Sequence, residues 1–566
     1  MPQASPVPAS HDLRDPTVMP DLLHHQPMAR ADLVLLREAL RFAFASGGSD
    51  VPLYECFDET QLAFSTWTPE FFASDLYLEA FINAHAVLEI NGGRFQARVA
   101  PLLRILNHPP QDLKNTYFRQ AVLRELSEND AFRASLEQAY VALARFRDLL
   151  GDSGLGERLD VNRRRLDVLE SGRAAIEILA RGFEGANSGL SRLRDFARRV
   201  QASQGFQRLS QLLAFEDNMA SIEARLQIGY DGELRHFEIV RTSEAKLNPF
   251  YATRLGRLWR RFSLLVRGYF FSDAEVLSRF VDQVFLGVDA EFAKFFQILS
   301  DLEFYLVALR FRDHARQLDL EVCLPEVVAA QPDAASPVRV WVDLFNPLLV
   351  RHGEAAVPCS LSQQRCDDIV LLTGPNSGGK TRLLQALSLG QILAQGGYFV
   401  PASKAQLVSA SAMFLSIGDH ADENQREGRL GSELLRIRKV FESVRPGAFV
   451  VVDELCSGTN PSEGEEIFRM VLTLLKELGP QVFISTHFLE FAASLARDPS
   501  TSGLDFLRVE LDVHDRPTYR FVPGVANTSL AQQTAARLGV TAKELRALID
   551  QHRRMNAAPR KISRGA

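Results

Sequence analysis

The chain has 566 residues, of which 46% are hydrophobic and 24% charged, and its formal net charge is −6. This length and composition suit two or more soluble domains, each with its own core. The acidic balance excludes a uniformly basic surface, so any contact with nucleic acid must depend on local patches. We expect no contact with a membrane, because no apolar run approaches the roughly 20 residues of a transmembrane helix.

The cysteines and the N-terminus both predict a cytoplasmic protein. An odd number of cysteines without a CxxC pair is typical of reduced thiols rather than of a disulfide framework or a zinc site. The first 20 residues lack the basic and then apolar pattern of a secretory signal. The cysteines are Cys56, Cys323, Cys359, Cys366 and Cys456.

Composition and periodicity divide the chain into five regions. Residues 1–30 are rich in proline, which predicts a disordered tail, and an N-terminal segment follows over 31–85. Residues 86–330 are predicted to form a mainly α-helical domain, because the runs 116–150 and 290–318 space their apolar side chains at three and four, with charges on the other face. Within it, alternation on both sides of Asp231-Gly232 predicts a β-hairpin near 222–241. Beyond a linker, strand-like and helical runs alternate over 338–550, which predicts an α/β nucleotide-binding domain, and a basic tail completes the chain over 551–566.

The segment GPNSGGKT, residues 374–381, lies between the apolar run IVLLT and the helical pattern RLLQALSLGQIL. A strand, a glycine-rich turn and a helix in this order form a P-loop, which binds ATP through its phosphates. The glycines let successive N–H groups point at the phosphates, and the helix adds its positive dipole end. Lys380 would contact the β- and γ-phosphates, and Thr381 would bind Mg²⁺. The predicted nucleotide-binding residues are Gly374, Pro375, Asn376, Ser377, Gly378, Gly379, Lys380 and Thr381.

A second motif, FVVVDE, begins at residue 449 and supplies two carboxylates after a buried strand. Asp453 is placed to hold the Mg²⁺ hydration shell, and Glu454 to act as general base on the attacking water. A third apolar run, VFIST, leads to His487, which we predict to sense the γ-phosphate at the carboxyl edge of the sheet. A histidine after a strand is often structural, so the order of the motifs carries this catalytic assignment.

Four blocks in this order resemble the MutS family of DNA mismatch-repair ATPases. They are LLTGPNSGGKTRLLQALSLGQILAQGGYFVPA, DELCSGTNPSEG, STHFLEFA and YRFVPGVANTSLAQQTAARLGV. The resemblance implies an ABC-type P-loop ATPase domain that lies C-terminal to a helical core and lever domain. It also implies a homodimer in which a loop with Gly431 and Ser432 acts in trans on the other subunit's nucleotide.

The sequence departs from the family in several places, among them Asn460 and Glu463, where mismatch-repair members commonly carry Ser and Asp. The trans-acting loop has the sequence GRLGSE instead of the family's STF or SYF. No aromatic residue that could stack on adenine precedes the P-loop in EAAVPCSL, so adenine contacts stay unassigned. About 85 residues precede the helical core, and we expect no mismatch-reading or connector domain there. The letters FDE at residues 57–59 match the Phe-x-Glu motif with which the family's mismatch-reading domain contacts a mismatch. Three letters recur by chance, so we do not assign this role to them.

Two arginine-rich stretches flank the predicted hairpin and are candidates for contact with DNA phosphates. A solvated helix face explains the same pattern equally well, and the sequence leaves both interpretations open. The candidate contact residues are Arg192, Arg198, Arg199, Arg254, Arg257, Arg260 and Arg261.

The sequence therefore predicts a MutS-like, Mg²⁺-dependent ATPase that acts as a dimeric clamp on mismatched or branched DNA. Its pathway would be mismatch repair or recombination, with repair or recombination proteins as partners. The alternative is an ABC-type ATPase whose helical domain acts on a protein partner and has no role on DNA.

Overall fold

A computed structural model places most of the chain in two compact units. A helical unit comprises Met1–Ser65, Leu78–Leu318 and Leu393–Phe399, and an α/β unit comprises Thr66–Tyr77, Asp319–Ile392 and Val400–Ala566. The residues that the structure describes are 19–46, 62–151, 161–218, 221–228, 234–243, 272–329, 338–350, 356–375, 377–417, 429–456, 460–498, 502–527, 540 and 542–557.

The first part of the chain is mainly helical. Its helices are α1 (Leu33–Ser46), α2 (Ala73–Leu76), α3 (Leu78–His85), α4 (Val99–Asn107), α5 (Leu113–Glu128), α6 (Asp130–Gly151), α7 (Val161–Gly182), α8 (Leu190–Ala202), α9 (Gln204–Asn218), α10 (Ser272–Leu286), α11 (Asp289–Ala293) and α12 (Phe295–Gln317). Two antiparallel hairpins interrupt them, β1 (Val87–Ile90) with β2 (Gly93–Gln96), and β3 (Ser221–Ile228) with β4 (Leu234–Ser243).

The hairpin of β3 and β4 lies where the alternating pattern placed it, and its turn at Asp231-Gly232 lies outside the described residues. The helical pattern over residues 116–150 lies in two helices, α5 and α6. Asn129 separates them, because its side-chain oxygen accepts hydrogen bonds from the N–H groups of Ala131 and Phe132 and so caps α6.

Residues 19–30 pack inside the helical unit, although the sequence predicted a disordered tail over 1–30. Leu22 and Leu23 are fully buried. Arg30 forms an ion pair with Asp301 of α12, and the Leu22 N–H donates to the same carboxylate at 2.9 Å. The segment is ordered because its polar residues satisfy buried groups of α12, and composition alone did not reveal those partners.

Helix α12 is buried on nearly every side, whereas its sequence pattern predicted a charged, solvent-facing side. Glu303 lies in the core and accepts a hydrogen bond from the Arg98 N–H at 3.2 Å. Burial raises the pKa of Glu303 to about 7. Two acidic residues of this helix, Asp301 and Glu303, therefore belong to internal polar networks.

A buried histidine predicts how the helical unit responds to acid. His85 donates from Nδ1 to the Phe81 carbonyl at 2.8 Å, and its Nε2 lies 3.3 Å from His314 Nδ1. Burial lowers the pKa of His85 to about 4. The unfolded chain therefore binds the proton at higher pH than the folded chain does, and stability falls as the pH drops from about 6.5 towards 4.

We expect this histidine to cost about 2 kcal/mol of the free energy of unfolding between pH 7 and pH 5. Urea unfolding followed by circular dichroism at the two pH values measures the loss. His85→Gln should lose less stability than the wild type over this range, whereas His514→Gln, at an exposed site, should lose as much as the wild type. Equal losses in the His85→Gln chain and the wild type would contradict this assignment.

The α/β unit alternates strands and helices. Its strands are β5 (Glu326–Val328), β6 (Arg339–Leu344), β7 (Cys359–Gln363), β8 (Ile369–Thr373), β9 (Lys404–Val408), β10 (Met413–Ser416), β11 (Phe449–Val452), β12 (Gln481–Thr486), β13 (Leu504–Leu511) and β14 (Pro517–Pro523). Its helices continue as α13 (Pro347–Val350), α14 (Lys380–Gly396), α15 (Arg429–Ser443), α16 (Pro461–Leu478), α17 (Leu489–Arg497) and α18 (Ala542–Ala557).

One six-stranded sheet organises this unit, with the strand order β10-β11-β12-β8-β13-β14. Every neighbouring pair is parallel except β13 with the edge strand β14. Strands β8 and β12 are buried along their whole length, as central strands covered on both faces must be. Parallel order brings the carboxyl ends of β8, β11 and β12 to one edge, where ligands bind in such sheets.

A second sheet has the order β5-β9-β6-β7. Strand β5 pairs with β9, and residues from Asp319 to Ile392 belong to the α/β unit, whereas the sequence placed the end of the helical domain at residue 330. The predicted linker over 331–337 lies outside the described residues.

The short segment 66–77 also belongs to the α/β unit, although the sequence assigned it to a separate N-terminal segment. Trp67 donates from Nε1 to the Ala410 carbonyl at 3.0 Å, and Asp75 accepts from the Ile417 N–H at 2.7 Å. These contacts hold the segment alongside β10. No helix within the described ranges is long and apolar enough to cross a membrane.

Candidate functional site

The P-loop connects β8 to α14, as the sequence predicted. Gly374 and Gly379 have φ values of 140° and 88°, in the region that favours glycine. A Cβ atom on Gly374 would lie 2.6 Å from a methyl of Val509, and one on Gly378 would lie 2.8 Å from it. The loop therefore needs glycine because β13 packs directly beneath it. Asn376 lies outside the described residues.

Lys380 is the first residue of α14 and is only 3% exposed. Its Nζ donates to the carbonyls of Gly374 and Pro375, at 2.9 and 3.1 Å. Burial lowers the pKa of Lys380, and the nearby carboxylates of Glu454 and Asp453 offset part of this effect. The ammonium group is thus held against the loop that is predicted to bind phosphates.

The two predicted metal ligands are in contact. The Thr381 hydroxyl donates to Asp453 Oδ2 at 2.6 Å, and the second oxygen, Oδ1, accepts from the Ser485 hydroxyl. A hydroxyl oxygen at the start of the P-loop helix and a carboxylate oxygen directly after β11 are ligands of the kind that Mg²⁺ prefers. The residues present therefore fit Mg²⁺.

Glu454 follows Asp453 directly and has a φ of 54°, which is unusual for a residue with a long side chain. Its N–H donates to Ser485 Oγ at 2.9 Å. His487 follows β12, and the centroid of its ring lies 4.2 Å from the ring centroid of Phe488. The structure brings Glu454 and His487 to the carboxyl edge of one sheet, where the sequence placed them.

A cavity of about 640 Å³ opens beside the P-loop. Lys380 and Thr381 line one part of it, and three residues that the sequence did not single out line other parts: Asn346, Tyr77 and Tyr519. Tyr519 lies over the loop, because its ring comes within 3.3 Å of where a Cβ of Gly379 would be. Asn346 donates to the Arg382 carbonyl at 2.9 Å and so fixes this wall to α14.

These three residues were missed for a structural reason. Each reaches the cavity from a segment outside the P-loop motif. Tyr519 is the first residue of the block YRFVPGVANTSLAQQTAARLGV, but the pattern predicted no role for it.

The predicted trans-acting residues Gly431 and Ser432 lie in the first turn of α15, not in a loop before it. Residues 418–428, which precede this helix, lie outside the described residues. The trans-acting role stays a prediction.

The predicted DNA-contacting arginines divide into three groups. Arg192 forms hydrogen bonds within the helical unit, because its guanidinium donates to the carbonyls of Asp21, His24 and His25 at 2.6–2.8 Å. These hydrogen bonds occupy the guanidinium of Arg192 and argue against the predicted DNA contact. Arg198 and Arg199 are exposed near the end of α8, and Arg198 forms an ion pair with Glu184. Arg254, Arg257, Arg260 and Arg261 lie outside the described residues.

A P-loop after a buried parallel strand, an Asp-Glu pair after a second strand and a histidine after a third define an ABC-type P-loop ATPase fold. Comparison with protein families agrees, because residues 370–553 match the model of MutS domain V. Over these residues the chain is similar to the MutS family.

The chain is similar to proteins named Endonuclease MutS2. It is 29% identical to the one from Thermomicrobium roseum over 52% of this chain and 36% of that protein. The relative from Thermus thermophilus is 33% identical over 38% of this chain and 28% of its own length. The relative from Carboxydothermus hydrogenoformans is 29% identical over 44% of this chain and 30% of its own length. The matches span about a third of the length of these relatives.

Proposed function

We propose that this chain is a Mg²⁺-dependent ATPase that binds DNA as a homodimer in the cytoplasm and changes shape with nucleotide state. One observation carries the proposal: Lys380, Thr381, Asp453 and Glu454 meet at one edge of the sheet inside a MutS domain V. The names of the relatives assign an endonuclease activity to those proteins, and our proposal for this chain does not include it.

The site residues divide the reaction between them. When a triphosphate enters, Lys380 exchanges the two P-loop carbonyls for phosphate oxygens, which are stronger partners for a cation. Thr381 and Asp453 would hold Mg²⁺, whose chemical contribution is to neutralise charge that develops on the phosphates. Glu454 takes a proton from the attacking water and so acts as general base. His487 senses the γ-phosphate.

The proposed DNA role is recognition of branched or bent duplexes by shape. Arg198, Arg199 and the arginines at 254, 257, 260 and 261 would contact phosphates, which carry affinity without base sequence. A junction deforms more easily than a continuous duplex, so a clamp that binds two duplex arms favours it. We propose that the protein acts with repair or recombination proteins and discriminates little between matched and mismatched duplexes.

The rival proposal is an ABC-type ATPase whose helical unit acts on a protein partner. The hydrogen bonds of Arg192 within the helical unit favour this rival, because they remove one of the seven predicted DNA contacts. A competition experiment separates the two proposals. Gel shifts with homoduplex, G·T-mismatched and branched DNA, with and without ATP, should show preference for the branched form. No binding to any DNA would favour a protein partner.

Replacing Arg257, Arg260 and Arg261 together with alanine should weaken binding to all three DNAs alike. The slope of log affinity against log salt should flatten by about 2 to 3, since each lost phosphate contact removes about 0.9. A matched control replaces three exposed arginines of the α/β unit, Arg365, Arg438 and Arg497. An equal loss of affinity in both triple variants would refute a local DNA-binding patch.

A further inference from the structure

Ser485 joins the two acidic residues of the nucleotide site through one hydroxyl group. It lies on the central strand β12 and is fully buried. Its Oγ donates to Asp453 Oδ1 and accepts from the Glu454 N–H at 2.9 Å. Strands β11 and β12 pair Val452 with Ile484, so the chain leaves β11 directly beside Ser485.

The first of these hydrogen bonds fixes a carboxylate. Asp453 Oδ2 faces the Thr381 hydroxyl at 2.6 Å, and Oδ1 is held by Ser485. With both oxygens engaged, the carboxylate cannot rotate freely about its terminal torsion, which is otherwise soft. The oxygen nearest Thr381 is therefore kept in one position before any metal arrives.

The second hydrogen bond fixes a backbone conformation. Glu454 has a φ of 54°, in the left-handed region that is unfavourable for a residue with a Cβ. Such a conformation persists where the surroundings hold it, and these positions concentrate at functional sites. The Glu454 N–H has Ser485 Oγ as its acceptor, so the serine holds the backbone of the residue that carries the proposed base.

We propose that Ser485 is a positioning residue, which aligns the Mg²⁺ ligand Asp453 and the general base Glu454 at once. Its single O–H is donated to Asp453 and it accepts from Glu454, so it takes no part in proton transfer. The inference rests on the proposed ATPase function. Groups that orient metal ligands in this way change metal affinity or activity by about 10- to 100-fold when they are replaced.

Ser485→Ala tests this role, with ATP turnover measured over a Mg²⁺ titration. We expect kcat to fall about 10- to 100-fold and the half-saturating Mg²⁺ concentration to rise, while ATP binding without Mg²⁺ is unchanged. Ser485→Thr keeps the hydroxyl on a β-branched side chain suited to a strand, and should restore both values towards those of the wild type. If the alanine variant does not fold, Ser485→Cys is measured instead, because the thiol has similar volume and is a weak hydrogen-bond donor.

Ser388→Ala is the matched control. Ser388 is also fully buried in this unit, and its hydroxyl donates to the Leu384 carbonyl at 2.8 Å within α14. Wild-type Mg²⁺ dependence and kcat in Ser485→Ala, or equal losses in both alanine variants, would overturn the positioning role. A wild-type chain that neither binds nor hydrolyses ATP would instead refute the proposed function.

Discussion

Replacing Glu454 with glutamine should lower kcat for ATP hydrolysis about 10²- to 10⁴-fold and leave ATP binding intact. Glutamine cannot take a proton from water, whereas Lys380, Thr381 and Asp453 still contact phosphate and metal. The hydrogen bond from the residue 454 N–H to Ser485 is also retained, because it involves the backbone. Single-turnover hydrolysis and equilibrium binding of ATP, measured side by side, separate the two effects.

Glu466→Gln makes the same chemical change at an exposed position of α16 and should hydrolyse ATP as the wild type does. Turnover by Glu454→Gln at the wild-type rate would mean that the base lies elsewhere. The stalled protein also tests the proposed dimer. ATP that binds across two subunits favours their association, so sedimentation should show a dimer with ATP at micromolar protein.

Replacing Lys380 with alanine should weaken ATP binding by about a hundredfold or more. The variant loses charged hydrogen bonds to phosphate, and each such bond contributes on the order of 1.5–3 kcal/mol. The helix dipole and the backbone N–H groups that remain poorly offset the charge of a triphosphate. Calorimetric titration with a non-hydrolysable ATP analogue measures the dissociation constant.

Lys404→Ala removes an exposed lysine from β9 of the same unit and should bind the analogue normally. Thermal melting of both variants shows whether the fold is retained, since Lys380 also satisfies two P-loop carbonyls. Unchanged affinity in a folded Lys380→Ala protein would exclude the phosphate-binding role.

The nucleotide site was predictable where its parts are local in sequence. The P-loop glycines, Lys380 and the Asp-Glu pair each stand beside a strand whose apolar run marks it as buried. The remainder of the site depends on pairing between distant strands. Ser485 reads as an ordinary strand residue until the register of β11 and β12 places it beside Asp453.

Sequence patterns failed where polar residues are buried. The sequence predicted a disordered tail for residues 19–30 and a solvent-facing surface for the charged side of α12. Both predictions followed from the polar composition of each segment considered alone. Arg30 and Asp301 explain both errors, since each is the other's buried partner across a separation of 271 residues. Composition and periodicity describe one segment at a time and do not show such pairs.

Steady-state ATP turnover of the wild-type chain, titrated with Mg²⁺ with and without branched DNA, tests the central claim most directly. The proposed function predicts turnover that requires Mg²⁺, is stimulated by DNA and loses this stimulation as salt increases. No turnover at saturating ATP and Mg²⁺, or turnover that branched DNA leaves unchanged at low salt, would contradict a DNA-dependent ATPase.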